Sequence, residues 1–407
     1  MFTYTHTLYA SYIAYINQAI VNIFPTLIFI VFKNDFNLSI SQIAFLSSFN
    51  FLMQMIIDFL AIKYIEKIGY RKPIVIAHIS STLGFILLGI LPFMINPFNA
   101  LLLVFFINAI SGGLIEVLIS PIVEALPEKQ KTKAMNILHS FYCWGSMFVI
   151  IFSTLFFNIY SINNWKYLSF IWAIIPAINT FIFAKVPINT LSTNNDHTSE
   201  NNIVSIRKLL SVKIVIIFVV LMICAGASEM AMAQWISFFT ETALNIDKSF
   251  GDIFGASMFA FCMGIMRVIF AIKSDKINII HSLMIASLFC IIGYIIASLA
   301  SNAIISIIGC AIVALSVSIM WPSIFSLSAK LYSKGATSMF ALLALSGDIG
   351  CSIGTFLVGT VSKSKLSIIF SSIIQNNTEI KTGILSVIVF PIIMLITLLI
   401  AKKYKSN

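Results

Sequence analysis

The chain alternates between long apolar runs and short polar breaks, and the runs are too long for a soluble fold. A helix that crosses a bilayer needs about 20 consecutive, mostly apolar residues. Twelve runs meet that length: Leu8–Phe32, Ile40–Ile62, Pro73–Ile95, Ala100–Val123, Met135–Tyr160 and Tyr167–Ala184, then Val212–Ala243, Phe250–Ile272, Ser282–Leu299, Ala303–Leu327, Thr337–Val361 and Gly383–Ile400. None alternates every second residue over about ten residues, which excludes a β-barrel. The expected fold is an all-α membrane protein of twelve transmembrane helices in two pseudo-symmetric six-helix bundles. The longest polar stretch, Pro187–Asn202, falls near the middle of the chain. It predicts an N-terminal bundle over 1–185, a cytoplasmic linker over 186–211 and a C-terminal bundle over 212–407. Within the linker, Ile203–Leu210 fits a short amphipathic helix on the cytoplasmic face.

Composition points the same way. Of 407 residues, 59% are hydrophobic and 10% charged, whereas a soluble domain keeps about 25% charged to face water. The net charge of +10 raises nucleic acid as a partner, but the basic residues form no stripe or arm. They sit in short loops. With a cytoplasmic N-terminus, 18 of the 25 lysines and arginines fall on the inner side, six on the outer, and Arg267 within a span. Both termini are therefore expected inside, in a multi-pass protein of the cell membrane.

The six cysteines fall within apolar runs without a CxxC pair, and the five histidines have no metal-binding spacing. No cofactor, metal site or enzyme activity is expected. The N-terminus lacks a cleavable signal pattern, so the first run is expected to remain as a span.

One feature repeats. Glu66-Lys67 follows the second run and Asp275-Lys276 follows the eighth, 209 residues apart. Internal repetition of this kind is how many carriers are built. With Gly69 and Arg71, the first copy resembles the G-x-x-x-D-R-x-G-R-R loop of the major facilitator superfamily, although Ile62 and Glu66 replace its first glycine and its aspartate. The resemblance implies a secondary active transporter working by alternating access, with Asp58, Glu66, Lys67, Gly69, Arg71, Arg267 and Asp275 as gating residues. Asp58 and Arg267 each lie eight residues before the acid of their loop and are expected to hold the halves closed at the cytoplasmic side.

Two motifs of drug/proton antiporters are missing. Asn108 to Gly112 carries no arginine, and the fifth run around Trp144-Gly145 has no proline. The segment Gly226 to Trp235, with Glu229 and Gln234, is closer to the fucose/glucose permease group, as is Gly112-Gly113 followed by Glu116. The first-run aspartate of those permeases is replaced by Asn17, Gln18 and Asn22. This likeness implies proton-coupled symport of a small polar solute, in particular a sugar. Efflux of an amphiphilic compound is the alternative, and a receptor without transport a third class. The chain is expected to act as a monomer, with protons or sodium as the coupling ion.

Ionisable groups within a span must face a partner or a wet cavity. Glu116, Glu229 and Asp348 are the proton-coupling candidates, since a carboxylate withdrawn from water favours its protonated form. Tyr15, Gln18 and Asn22 share one helix face. Asn50, Gln54 and Asp58 share another, and Asn108, Gly112, Glu116 and Ser120 a third. Such stripes either line a cavity or pack helix against helix. The substrate-binding candidates are Tyr15, Gln18, Asn22, Asn108, Tyr142, Gln234 and Trp235.

Overall fold

The computed structural model describes residues 2–126, 138, 140–189, 209–273, 278–331, 336–364 and 378–404, with 62–67, 271–273, 329–330, 336–338, 340–341, 378 and 403–404 described in their backbone alone. Glu66 and Lys67 therefore lie outside the described side chains, and Asp275 outside the described residues. Among the described residues there is no β-strand. That is the physical requirement of a lipid setting, where each backbone N–H and C=O must find its partner within its own segment.

We number the twelve long helices in chain order. The first six are α1 (Tyr4–Leu27), α2 (Ile40–Ile68), α3 (Arg71–Leu88), α4 (Pro97–Glu124), α5 (Ser140–Tyr160) and α6 (Trp165–Lys185). The next are α7 (Lys213–Thr242), α8 (Lys248–Gly251, a π-helical turn Asp252–Ser257, then Met258–Lys273) and α9 (Ile279–Leu299). The last are α10 (Ala303–Val317, then Met320–Leu331), α11 (Ala336–Ser362) and α12 (Thr378–Ser386, then Val389–Tyr404). Eleven of the twelve are long and apolar enough to cross a membrane by length and composition. The other is α1, whose apolar run is diluted by the buried Asn17, Gln18 and Asn22. Gly69 turns the chain between α2 and α3 with φ of +75°, a left-handed conformation that favours glycine.

The chain forms two compact units. The first holds α1–α6 together with Asp247–Phe261, and the second holds α7, the rest of α8 from Cys262, and α9–α12. In the first, α1 packs on α4, α5 and α6, and α3 packs on α4 and α6. In the second, α7 packs on α10, α11 and α12, and α9 packs on α10 and α12. Each of these pairings in the second unit is that of the first with six added to both numbers. The internal repeat is thus present in the packing. The first part of α8 joins the first unit through α5, where Thr154 donates to Asp252 Oδ2 at 3.5 Å and Trp144 meets Phe261 edge to face. Asp252 is held by Lys248, one turn earlier, at 3.0 Å.

Glycines set the closest contact of the second unit. A Cβ on Gly226 would lie 2.3 Å from the Gly347 carbonyl oxygen, and one on Gly350 would lie 2.1 Å from that of Ile223. Two helices whose backbones touch gain dispersion contacts that lipid cannot match, which is why small residues gather at such seams.

Candidate functional site

In the first unit the polar stripes of α1, α2 and α4 face one another. Gln18 Nε2 donates to Gln54 Oε1 at 3.2 Å, and Gln54 Nε2 donates to Asn22 Oδ1 at 3.2 Å. Asn50 Nδ2 adds a second donor to Asn22 Oδ1 at 3.3 Å. These four amides form a ladder between α1 and α2, each of them buried. Gln18 Oε1 has no hydrogen-bond partner among the described residues. A second cluster lies beside it, with Ser81 donating to Asn17 Oδ1 at 2.8 Å and Asn17 donating to Ser111 at 3.3 Å. Asn108 is buried with its Oδ1 against Gly84, where a Cβ would come within 1.9 Å.

Gly112 and Gly113 of α4 make room for α2. A Cβ on Gly112 would meet the Gln54 amide at 2.5 Å, and one on Gly113 would meet Asp58 Oδ1 at the same distance. Asp58 is buried and Glu116 half-buried. A carboxylate oxygen of Asp58 lies within 4.8 Å of one of Glu116. Tyr15 completes this corner, hydrogen-bonded to Ser120 and within electrostatic reach of Glu116. Asp58 was expected at a gate, but its spacing on α2 also aims it at the acid of α4. Tyr142 of α5 is half-buried.

Arg71 stands at the start of α3, where its guanidinium donates to the carbonyls of Phe183, Ala184 and Val186 at 3.0, 2.9 and 2.8 Å. It thereby caps the carbonyl end of α6, the favoured place for a cation. The chain leaving α6 is fastened further by Thr7, which donates to Pro187 O at 2.7 Å, and by Tyr4, which donates to Asn189 at 2.9 Å.

In the second unit Arg267 Nη2 donates to Glu229 Oε1 at 3.0 Å, an ion pair between α8 and α7. Its Nε donates at 3.3 Å to the carbonyl of Ser318, between the two segments of α10. Gln234 and Asp348 are buried. Trp235 is 0% exposed, and its indole N–H donates to Thr355 O at 3.1 Å. That places its ring in the seam of α7 and α11. Sequence reasoning passed over Ser318 and Ser81, and it named Asn17 only among the amides that replace the first-run aspartate, not as a site residue. Pro322, four residues after Ser318, was the available signal for the first, and Ser81 carried none.

Two units with matched helix packing, eleven helices long and apolar enough to cross a membrane, and a buried polar seam define a membrane carrier built from a repeat. The family model of the Major Facilitator Superfamily matches residues 8–355, and the chain belongs to that superfamily of membrane transporters. No curated protein matches it by sequence. Among solved structures it is similar to a D-xylose-proton symporter, at 12% identity and a TM-score of 0.79, covering 97% of this chain and 96% of that one. It is also similar to the nucleoside transporter NupG, at 12% identity and 0.77, covering 97% and 98%. The fucose:proton symporter FucP of E. coli gives 16% identity and 0.63, again covering 97% and 98%. At these identities the likeness establishes the fold.

Proposed function

We propose that this transporter carries a small, hydroxyl-rich solute, a sugar in the first instance, in symport with protons. The observation that carries the reading is the Asp58–Glu116 pair, with carboxylate oxygens within 4.8 Å inside the membrane. Two like charges this close in a poorly hydrated site repel, so one proton held between them is the stable arrangement. Beside them the amide ladder offers donors and acceptors without charge, suited to hydroxyl groups. Gln18 Oε1 is an acceptor that a solute hydroxyl would satisfy. The named solutes of the similar structures, D-xylose, fucose and nucleosides, have the same chemistry and support the choice. Tyr15, Gln18, Asn22, Asn108, Tyr142, Gln234 and Trp235 remain the proposed solute-binding residues, with Glu229 and Asp348 as further coupling candidates. The deciding experiment uses proteoliposomes under an imposed pH gradient, with a panel of pentoses, hexoses and nucleosides. Accumulation of one of them that collapses with a protonophore is expected. Drug-stimulated proton release without uptake of any panel member would instead make the protein an exporter.

The proposed orientation places both termini in the cytoplasm, supported by the 18-to-6 division of basic residues. A single cysteine at Met94, in the exposed turn between α3 and α4, should react with an impermeant maleimide added to intact cells. A cysteine at Lys185, at the exposed end of α6, should react only after the cells are opened. The opposite pattern would invert the topology.

A further inference from the structure

Helix α10 is interrupted between Val317 and Met320, and the interruption follows from Pro322. Proline has no backbone N–H, so it cannot donate to the carbonyl four residues earlier, that of Ser318. The ladder resumes one residue later, where the Ser323 N–H donates to Ile319 O at 3.1 Å. Ser318 is 0% exposed. A buried carbonyl stripped of its helical donor needs another, and Arg267 Nε supplies it from α8 at 3.3 Å. The same guanidinium pairs through Nη2 with Glu229 of α7 at 3.0 Å, and the glutamate side chain is only 3% exposed. One arginine therefore joins three helices of the second unit at the point where one of them is broken.

We propose that Arg267 is a positioning residue that sets the bend of α10. Its ion pair with Glu229 holds the guanidinium at the Ser318 carbonyl, and the segment Met320–Leu331 is released when that pair opens. The inference concerns a hinge within one unit and stands whichever solute or ion is carried. A side chain that merely filled space between helices would be indifferent to residue 322. A side chain that replaces the donor missing from Pro322 would not.

The test is backbone hydrogen exchange across residues 318–326, measured by mass spectrometry on the full chain in nanodiscs. Arg267→Gln should speed exchange in this stretch by about tenfold, the scale of one lost hydrogen bond to a charged group. In a Pro322→Ala background residue 322 regains its N–H and can close the helical bond to Ser318, so adding Arg267→Gln should change exchange by less than about twofold. Equal acceleration in both backgrounds, or none in the first, would overturn the proposal. Glu229→Gln tests the ion pair at constant size and keeps the proposal testable should Arg267→Gln fail to fold. It should accelerate exchange across the break, again less so with Ala at 322. Unchanged exchange in Glu229→Gln would remove the ion pair from the hinge.

Discussion

Glu116→Gln is expected to abolish proton-driven accumulation while leaving solute exchange across the membrane intact. The amide keeps the size of the carboxylate and its hydrogen-bonding capacity but cannot take up or release a proton in the working pH range. Exchange of solute for solute needs the conformational cycle without net proton movement, so a carrier that has lost only its proton site should still exchange. The geometry gives the prediction a second arm. Because the Asp58 and Glu116 carboxylates lie within 4.8 Å of each other, a proton shared between them depends on both. Asp58→Asn should therefore uncouple in the same way. If Asp58 were confined to a gate, its substitution would slow exchange and accumulation together, since a gate shifts the balance of conformations. Measured in proteoliposomes with a counterflow assay beside the gradient-driven one, the two outcomes separate cleanly. Persistent accumulation by Glu116→Gln would move coupling to Glu229 or Asp348.

The helices and the repeat were legible in the sequence because lipid leaves the backbone so few choices. Apolar runs of about 20 residues are the length a spanning helix needs. What the runs conceal is where a helix breaks. The stretch from Ala303 to Leu327 reads as one span, yet α10 is interrupted before Pro322. Gly383–Ile400 likewise contains a break ahead of Pro391. Both prolines are in plain view, and each removes the donor for the carbonyl four residues before it.

Side-chain roles were legible only to the level of a helix face. The spacing of Asn50, Gln54 and Asp58 placed them on one side of α2. Only the packing shows that this side meets Gln18 and Asn22 of α1, and that Gly113 brings Asp58 near the Glu116 turn of α4. Arg267 was expected to bridge the halves because it matches Asp58 in the repeat. Two of its donors engage Glu229 and Ser318 within the second unit, partners 38 and 51 residues away that no local pattern marks. Trp235 shows the same limit, since an aromatic ring on a polar helix suits a sugar face and a helix seam equally well by sequence.

The double substitution Gln18→Leu with Gln54→Leu is expected to spare the fold and weaken solute binding about a hundredfold, which decides whether the amide ladder packs helices or holds a ligand. Gln54→Leu alone leaves the Gln18 amide donor buried without its acceptor, at a cost of about 1–3 kcal/mol. Asn22 suffers less, because Asn50 still donates to its Oδ1. Replacing Gln18 as well removes the stranded donor, and exchanging both partners for apolar groups of similar shape can be nearly neutral. Thermal stability without solute should thus fall in the single variant and largely recover in the double. Binding should behave oppositely. Each lost side chain removes a hydrogen bond worth about 1.4 kcal/mol or tenfold in affinity, so the double variant should bind about a hundredfold more weakly than the parent. Solute-dependent thermal shift reads both quantities on one sample, since a ligand at free concentration L that binds only the folded state stabilises it by RT ln(1 + L/Kd). A double variant that recovers stability and keeps parental affinity would assign the ladder to helix packing alone.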